Sequence, residues 1–227
     1  VIASAISSPD VCQNEFDYCW RINVEGTSEL ISYALQKGAR VLFLSSDAVY
    51  ASANGVIYDE SSPIDPCFAY GKMKAEVERR FFCHESFKSA RLSYVFSDHD
   101  KVTSYMLNCL QSGLPAEVFH PYFRNCISLS DVTRAILWLY DNWAAFSDCR
   151  LNLVGDELVS RIQVAEELQK IIPNFTFSIT TPPEGFYDVR PAVTQVKSKY
   201  LYELGICCAD CFSNKFAEEM RRRVRND

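Results

Sequence analysis

Two short segments, Leu44-Ser45-Ser46-Asp47 and Tyr70-Gly71-Lys72-Met73-Lys74, decide how this chain folds and where its chemistry lies. The first ends an apolar run typical of a buried strand, and the second leads into residues 72–82, whose pattern predicts a helix. Tyr70 and Lys74 are four residues apart, so a helix places both side chains on one face. A phenol beside an ammonium can transfer protons, because the positive charge lowers the pKa of the phenol from its ordinary value of about 10.

Helical patterns alternate with apolar runs along the rest of the chain. The segment 27–37 is the clearest helix, since its apolar residues form one stripe and Gly38 follows as a stop. Further helices are predicted at 11–20, 101–111, 130–142 (with Ser130 as N-cap), 160–172 and 212–225, and strands at 1–7, 40–45, 90–96, 117–120, 150–154 and 175–180. This alternation favours an α/β fold in which helices cover a parallel sheet.

Composition excludes several classes of function. The chain has 227 residues, 48% hydrophobic and 23% charged, with a net charge of -6 and a pI near 5.2. Such a balance gives no basic surface for nucleic acid or for an anionic membrane. No apolar run approaches the roughly 20 residues that span a bilayer, and the first residues lack the charged start of a signal peptide. We therefore expect a soluble cytoplasmic protein that holds any anionic ligand with a few placed arginines.

The ten cysteines are scattered singly through apolar segments, which is typical of reduced, buried thiols. Cys208 and Cys211 form one C-x-x-C pair. A zinc site needs two more ligands, and the three histidines are far away in the sequence. We therefore expect no metal site and interpret this pair as ordinary loop or core cysteines.

The ordered short motifs of the chain resemble the extended short-chain dehydrogenases/reductases, the family of nucleotide-sugar epimerases, dehydratases and reductases. The motifs are Ile22-Asn23-Val24-Glu25-Gly26-Thr27, Leu44 to Tyr50, Asp59-Glu60 with Pro63 and Pro66, Tyr70 to Glu76, Arg91 to Phe96, Arg124 to Asp131, Leu151 to Gly155, and Arg190-Pro191. The resemblance implies a Rossmann-like doubly wound parallel sheet over residues 1–113 and a smaller C-terminal α/β substrate lobe, mainly over 114–227 and partly interleaved with the sheet. It also implies NAD or NADP as cofactor and a nucleotide sugar or related small molecule as substrate.

The resemblance assigns roles to individual residues. Tyr70 is the expected catalytic acid/base, Lys74 lowers its pKa and holds the nicotinamide ribose, Ser46 binds the reacting oxygen, and Asn23 supports the lysine through water. The expected cofactor-binding residues are Ala3, Ser4, Ser45, Ser93 and Val95, together with Tyr70 and Lys74. The expected substrate-binding residues are Asp47, Tyr94, Arg124 and Arg190. For the two arginines, a surface ion pair is the alternative to a clamp on a diphosphate.

The motifs also discriminate between reactions. The dehydratases of this family carry an Asp-Glu pair after the catalytic hydroxyl, whereas Asp47 is followed here by Ala48, so we expect no dehydration. The segments at 46–47, 70–74 and 91–96 resemble the dTDP-4-dehydrorhamnose reductase branch. The segment at 23–27 is more similar to the epimerases. Both reduction and epimerisation stay open at this point.

One family feature is missing from the sequence, the glycine-rich turn that binds the cofactor phosphates. We expect roughly 60 further residues before Val1, the length of two βα units. A non-catalytic regulatory protein on the same fold, such as the regulatory subunit of methionine adenosyltransferase, is therefore the alternative function. Relatives often pair through the helices that correspond to about 17–37 and 72–82, so a homodimer is also expected.

Overall fold

A computed structural model describes residues 1–53 and 55–226, and Asn54 and Asp227 lie outside the described residues. Its main sheet contains β1 (Val41–Ser46), β2 (Phe87–Leu92) and β7 (Arg150–Leu153), all parallel and in that spatial order. Ile2 forms a parallel bridge with Phe43 along the other edge of β1. The predicted strand at 1–7 is thus reduced to one bridge.

Helices cover both faces of this sheet. The first face is covered by α1 (Pro9–Asn14), α2 (Phe16–Trp20), a π-helix (Arg21–Gly26), α3 (Thr27–Gln36) and α4 (Ala69–Phe81). Val41 and Phe43 are buried against this layer, in one cluster with Met73 of α4. Leu42, between them in sequence, is buried on the other face with Val132 of α6 (Leu129–Asp141). Because successive strand residues point to opposite faces, the sheet is buried on both sides. The predicted doubly wound α/β fold is confirmed.

The second half of the chain adds a smaller layer beside the sheet. Its elements are β3 (Val95–Phe96), α5 (Lys101–Gln111), β4 (Ala116–Phe119), β5 (Phe123–Arg124), β6 (Ile127–Ser128), β8 (Val159–Ser160), α7 (Arg161–Ile171), β9 (Phe177–Thr180), β10 (Val193–Thr194) and α8 (Phe212–Asn226). The pair β4 and β9 is parallel, and Met106, Leu168 and Phe216 are buried in one cluster beside it. Since β7 joins the main sheet, the two parts interleave, and a boundary at residue 113 stays a prediction.

Two predicted helices have different limits in the structure. The helix predicted at 11–20 is interrupted at Glu15, whose backbone leaves the helical region with φ -119°. The helix predicted from Lys72 begins earlier, at Ala69, because Phe68 is extended and precedes it as the N-cap residue. Tyr70 therefore lies in the first turn of α4.

The N-cap of α6 is also different from the predicted one. Ser128, not Ser130, caps this helix, and its hydroxyl accepts a hydrogen bond of 3.0 Å from the backbone N–H of Asp131. The reason is that β6 ends directly at Ser128, so the N-cap lies two residues before the predicted one. Ser130 instead donates its hydroxyl proton to the carboxylate of Glu219 on α8.

The loop between β1 and α4 is fixed by a buried carboxylate. Glu60, only 1% exposed, accepts hydrogen bonds from the backbone N–H groups of Asn152 (2.8 Å) and Lys199 (2.9 Å) and from the hydroxyl of Ser198 (2.8 Å). These bonds tie the loop to β7 and to the segment before α8, so the loop enters α4 from a defined position.

Some apolar side chains remain on the surface. Leu30 and Tyr33 of α3 are 54% and 61% exposed, on one of the helices expected to pair in a homodimer. That homodimer stays a prediction. Among the residues described, none of the helices combines the length and apolar character needed to cross a membrane.

Candidate active site

A cavity of about 1030 Å³ lies at the carboxyl ends of β1 and β2, between the main sheet and the second half of the chain. Ligands of open α/β sheets bind at this edge. We define its sheet wall as Ser45, Ser46, Asp47, Tyr70 and Ser93, and its lobe wall as Tyr122, Arg124, Arg161, Phe186 and Arg190. Tyr94 and Val95 connect the two walls. The cavity thus gathers nine of the residues predicted from the sequence.

Ser46 is held at the end of β1 by two hydrogen bonds. Its hydroxyl accepts from the backbone N–H of Ala48 at 3.2 Å and donates to the carboxylate of Asp47 at 3.2 Å. The first bond caps the short 3-10 helix Asp47–Val49, which turns the chain away from the sheet. The Ser46 hydroxyl is therefore fixed at the cavity edge and can still exchange its acceptor for a ligand.

Tyr70 reaches the cavity because α4 starts close to the end of β1. At Gly71, an added Cβ would overlap the carbonyl oxygen of Ala48, so only glycine allows this close approach. The contact sets Tyr70 beside Ser46 on the sheet wall.

Lys74 lies behind Tyr70 and is almost fully buried. Its ammonium donates a hydrogen bond of 2.7 Å to the carbonyl of Leu44 and lies 4.5 Å from the ring centre of Phe43 and 5.8 Å from that of Tyr70. Burial lowers the pKa of Lys74 to about 8, although the charge of Glu78 opposes the shift. The ammonium is thus held in place by a strand carbonyl and two aromatic rings.

The pKa of Tyr70 moves in the direction opposite to the expected one. Burial raises it above its ordinary value, and the negative charges of Cys12 and Asp47, where ionised, add to the rise. The expected lowering of this pKa by Lys74 is not seen, and the loss of water around the phenol is the largest effect on it. At neutral pH Tyr70 is therefore a neutral phenol, the form that donates a proton.

Three polar atoms of the sheet wall are buried without a hydrogen-bond partner. They are the hydroxyl oxygens of Ser45 and Ser93 and one carboxylate oxygen of Asp47. Because buried polar groups in proteins almost always have partners, such atoms at a cavity mark positions for a polar ligand. Burial also raises the pKa of Asp47, with the charge of Arg124 opposing the shift. Two hydroxyls suit the carboxamide of a nicotinamide, which both donates and accepts.

The two predicted arginines lie in the lobe wall, but their donors are already bound by the protein. Arg124 donates to the carbonyls of Phe123 (2.6 Å), Pro191 (2.8 Å) and Ala192 (3.3 Å) and to the hydroxyl of Tyr122 (3.2 Å). Arg190 forms an ion pair with Asp10 and stacks on Phe186, 4.3 Å from the ring centre. For Arg190 the structure contains the ion pair that was the alternative, and a diphosphate clamp stays a prediction for both.

Three other predicted residues lie away from the cavity lining. Ala3 and Ser4 are exposed, and Ser7, Ser8 and Pro9 line the cavity in their place. Asn23 binds the backbone of Ile6 twice, donating to its carbonyl at 2.9 Å and accepting from its N–H at 2.8 Å. Asn23 therefore positions the segment that leads to Ser7, and its support of Lys74 stays a prediction.

No sequence pattern marks Arg161, the first residue of α7, as a site residue. Its guanidinium lies 3.9 Å from the ring centre of Tyr94 and 5.3 Å from that of Tyr122. Tyr94 in turn donates its hydroxyl proton to Asp100, the N-cap of α5. These partners are far apart in sequence, so the folded chain alone brings them together.

The chain belongs to the NAD dependent epimerase/dehydratase family, whose sequence profile matches residues 1–152. The resemblance to the extended short-chain dehydrogenases/reductases is thereby confirmed. The family is NAD dependent, in agreement with the expected NAD or NADP.

Individual relatives match smaller parts of the chain. A dTDP-4-dehydrorhamnose reductase of Aggregatibacter actinomycetemcomitans is 34% identical over 77 residues, which cover 34% of this chain and 26% of the relative. The methionine adenosyltransferase 2 subunit beta of Bos taurus is 34% identical over 79 residues, which cover 35% of this chain and 23% of the relative. The matched segments thus span about a quarter of the length of these two relatives.

The fold is shared with solved structures. MoeE5, solved in complex with UDP-glucuronic acid and NAD, has a TM-score of 0.79 and 20% sequence identity. The match covers 99% of this chain and 78% of MoeE5. At this identity the likeness shows a common fold.

Proposed function

We propose that the protein transfers a hydride between NAD or NADP and a sugar carbon of a nucleotide sugar, as a 4-keto sugar reductase or an epimerase, with Tyr70 as acid/base. One observation carries the proposal. Ser46 and Tyr70 line the same cavity, and the Lys74 ammonium lies behind them, 5.8 Å from the Tyr70 ring centre. A hydroxyl, a phenol and an ammonium so arranged suit proton transfer at a carbonyl or alcohol oxygen.

The residues divide the work of a reduction. A bound reduced nicotinamide supplies the hydride to the carbonyl carbon. The Tyr70 hydroxyl donates its proton to the carbonyl oxygen, and burial supports this role because it keeps the phenol neutral. Ser46 turns its hydroxyl from Asp47 to the same oxygen. The Lys74 ammonium stabilises the negative charge that the proton transfer leaves on Tyr70.

The proposed cofactor suits the unpartnered atoms of the sheet wall. Ser45 and Ser93 would bind the carboxamide of the nicotinamide, since each has a buried hydroxyl without a partner. MoeE5 binds NAD and a nucleotide sugar on the same fold, which supports both ligands here. Ala48 supplies no acid or base where the dehydratases carry a glutamate, so the proposal is limited to reduction and epimerisation.

A second function is a non-catalytic NAD(P)-binding regulatory protein. The observation in its favour is the relative from Bos taurus, methionine adenosyltransferase 2 subunit beta, at 34% identity over 79 residues. On this alternative, the sheet wall binds a cofactor without turnover.

Binding and turnover distinguish the two functions. NADH and NADPH are titrated into the full-length protein while nicotinamide fluorescence is followed, and nucleotide sugars are then screened for conversion. For an enzyme we expect binding of a nicotinamide cofactor and conversion of at least one nucleotide sugar. Binding without conversion of any nucleotide sugar would favour the regulatory protein, and no binding of either cofactor would refute both.

A further inference from the structure

The lobe wall contains three arginines, and their surroundings differ. Arg124 donates four hydrogen bonds to backbone carbonyls and a tyrosine hydroxyl, and Arg190 is paired with Asp10. Within residues 1–53 and 55–226, neither Arg124 nor Arg161 forms an ion pair, but the Nη1 of Arg161 is buried without a hydrogen-bond partner. A partly buried guanidinium with an unpartnered N–H group is costly, unless a ligand supplies the acceptor.

Asp100 is linked to Arg161 through Tyr94, but the two form no ion pair among the described residues. Asp100 accepts the Tyr94 hydroxyl proton and also hydrogen bonds from the N–H of Val102 (2.9 Å) and the hydroxyl of Thr103 (2.6 Å). These bonds cap α5 and hold the carboxylate at the start of that helix. The Nη1 of Arg161, a residue of the cavity lining, therefore has no partner in the protein and is open to a ligand.

The position of Arg161 is rigid. Ser160 and Gln163 form a capping box at the start of α7, with hydrogen bonds of 3.1 and 2.8 Å. The backbone N–H of Arg161 donates to the carbonyl of Tyr122 at 3.2 Å. Tyr94 and Tyr122 hold the guanidinium plane between them. A donor fixed in this way loses little freedom when it binds an anion.

We propose that Arg161, rather than the motif arginine Arg124, binds an oxyanion of the substrate, either a phosphate or a carboxylate. The inference rests on the proposed function, because it takes the cavity to hold a nucleotide sugar. Guanidinium groups bind both kinds of oxyanion with two parallel hydrogen bonds. A nucleotide sugar offers the diphosphate, and a sugar acid adds a carboxylate.

The test measures the affinity of the full-length Arg161→Gln variant for UDP, UDP-glucose and UDP-glucuronic acid. Two control ligands are measured beside them: uridine, which has no phosphate, and NADH, which binds at the cofactor site. We expect the Kd of at least one anionic ligand to rise about ten- to hundredfold, because the variant loses a hydrogen bond between charged groups. The Kd values of uridine and NADH stay within about twofold. Arg21→Gln, at an exposed arginine, is the matched control and changes none of them.

The pattern of losses identifies the oxyanion. Equal losses for all three ligands assign Arg161 to the diphosphate, and a larger loss for UDP-glucuronic acid assigns it to the carboxylate. The proposal is overturned if the wild-type protein binds none of the three, or if Arg161→Gln changes no Kd more than about twofold. Because binding is measured without turnover, a protein that binds through Arg161 but converts nothing refutes the proposed function alone.

Thermal unfolding without ligand gives a second readout. Arg124→Gln removes four hydrogen bonds to the protein and lowers Tm. Arg161→Met removes a charge that has no ion pair together with two cation–π contacts, so its Tm falls less than that of Arg124→Gln. A fall in Tm as large as that of Arg124→Gln, with unchanged Kd values for the anionic ligands, would assign Arg161 a structural role and contradict the proposal.

Discussion

The two walls of the cavity are built in different ways. The sheet wall comes from the ends of β1 and β2 and the first turn of α4, and its residues lie within one stretch of 49 residues, from Ser45 to Ser93. The lobe wall joins Tyr122, Arg161 and Arg190 through short strands and cation–π contacts between distant segments. The sheet wall is thus placed by regular secondary structure, and the lobe wall by long-range packing.

On the proposed function, the two walls have different tasks. Ser46 and Tyr70 of the sheet wall, with Lys74 behind them, act on protons. The aromatic rings and guanidinium groups of the lobe wall bind the substrate and transfer no protons at neutral pH. The reaction and the choice of substrate are therefore assigned to separate elements of the fold.

The largest expected effect comes from the close contact between Gly71 of α4 and the Ala48 carbonyl after β1. Gly71→Ala puts a Cβ into the carbonyl of Ala48. We expect a loss of about 3 kcal/mol in the free energy of unfolding, since backbone must move, and a loss of activity. Urea unfolding measures the change.

The matched control for this substitution is Gly26→Ala, inside the π-helix, where the nearest atom would be the Arg21 carbonyl oxygen at 3.4 Å. It should change the free energy of unfolding by less than about 1 kcal/mol. If Gly71→Ala is as stable as Gly26→Ala, the close approach of α4 to β1 is not required.

The pH dependence of turnover should come from Lys74, which lies behind the sheet wall. Burial lowers the pKa of Lys74 to about 8, so its ammonium is charged below that pH and neutral above it. Tyr70, whose pKa is raised, stays protonated over the same range. We expect kcat at saturating cofactor to fall as pH rises through about 8, by up to tenfold per pH unit. A flat profile between pH 7 and 10 would contradict the role of Lys74.

The smallest expected effect concerns the unpartnered hydroxyl of Ser93. In Ser93→Ala we expect the Kd of NADH to rise about fivefold, the loss of one neutral hydrogen bond, with no loss of thermal stability. Fluorescence titration measures this Kd. Thr180→Val removes another buried unpartnered hydroxyl, one outside the cavity lining, and should leave the Kd unchanged. Equal Kd values for both variants and the wild type would remove Ser93 from the cofactor site.

The sequence predicted the placement of Ser46, Tyr70 and Lys74 because spacing decides their geometry, whereas Ser45, Asp47 and Ser93 came from the family resemblance. A strand that ends at Ser46 and a helix that carries Tyr70 and Lys74 four residues apart leave little freedom in the relative positions of these side chains. Sequence could not give the pKa direction of Tyr70, since burial depends on the whole fold. It missed Arg161 for a similar reason: no local pattern marks an arginine whose neighbours Tyr94 and Tyr122 are 67 and 39 residues away.

Motif matching also has a physical limit within the lobe wall. Arg124 and Arg190 fit the family pattern, yet in the folded chain their donors bind carbonyls and Asp10. Hydrogen-bond partners of this kind depend on tertiary contacts, which a motif does not record. The same holds for the N-cap of α6, where the end of β6 decides between Ser128 and Ser130.

The most direct test of Tyr70 as acid/base is the turnover of Tyr70→Phe, measured with the nicotinamide cofactor and a nucleotide sugar that the wild-type protein converts. We predict that kcat falls at least about a hundredfold, while the Kd of NADH stays within about twofold. Tyr140→Phe, at a tyrosine 76% exposed on α6, should keep wild-type activity. A Tyr70→Phe variant that turns over at the wild-type rate would contradict the proposed role of Tyr70.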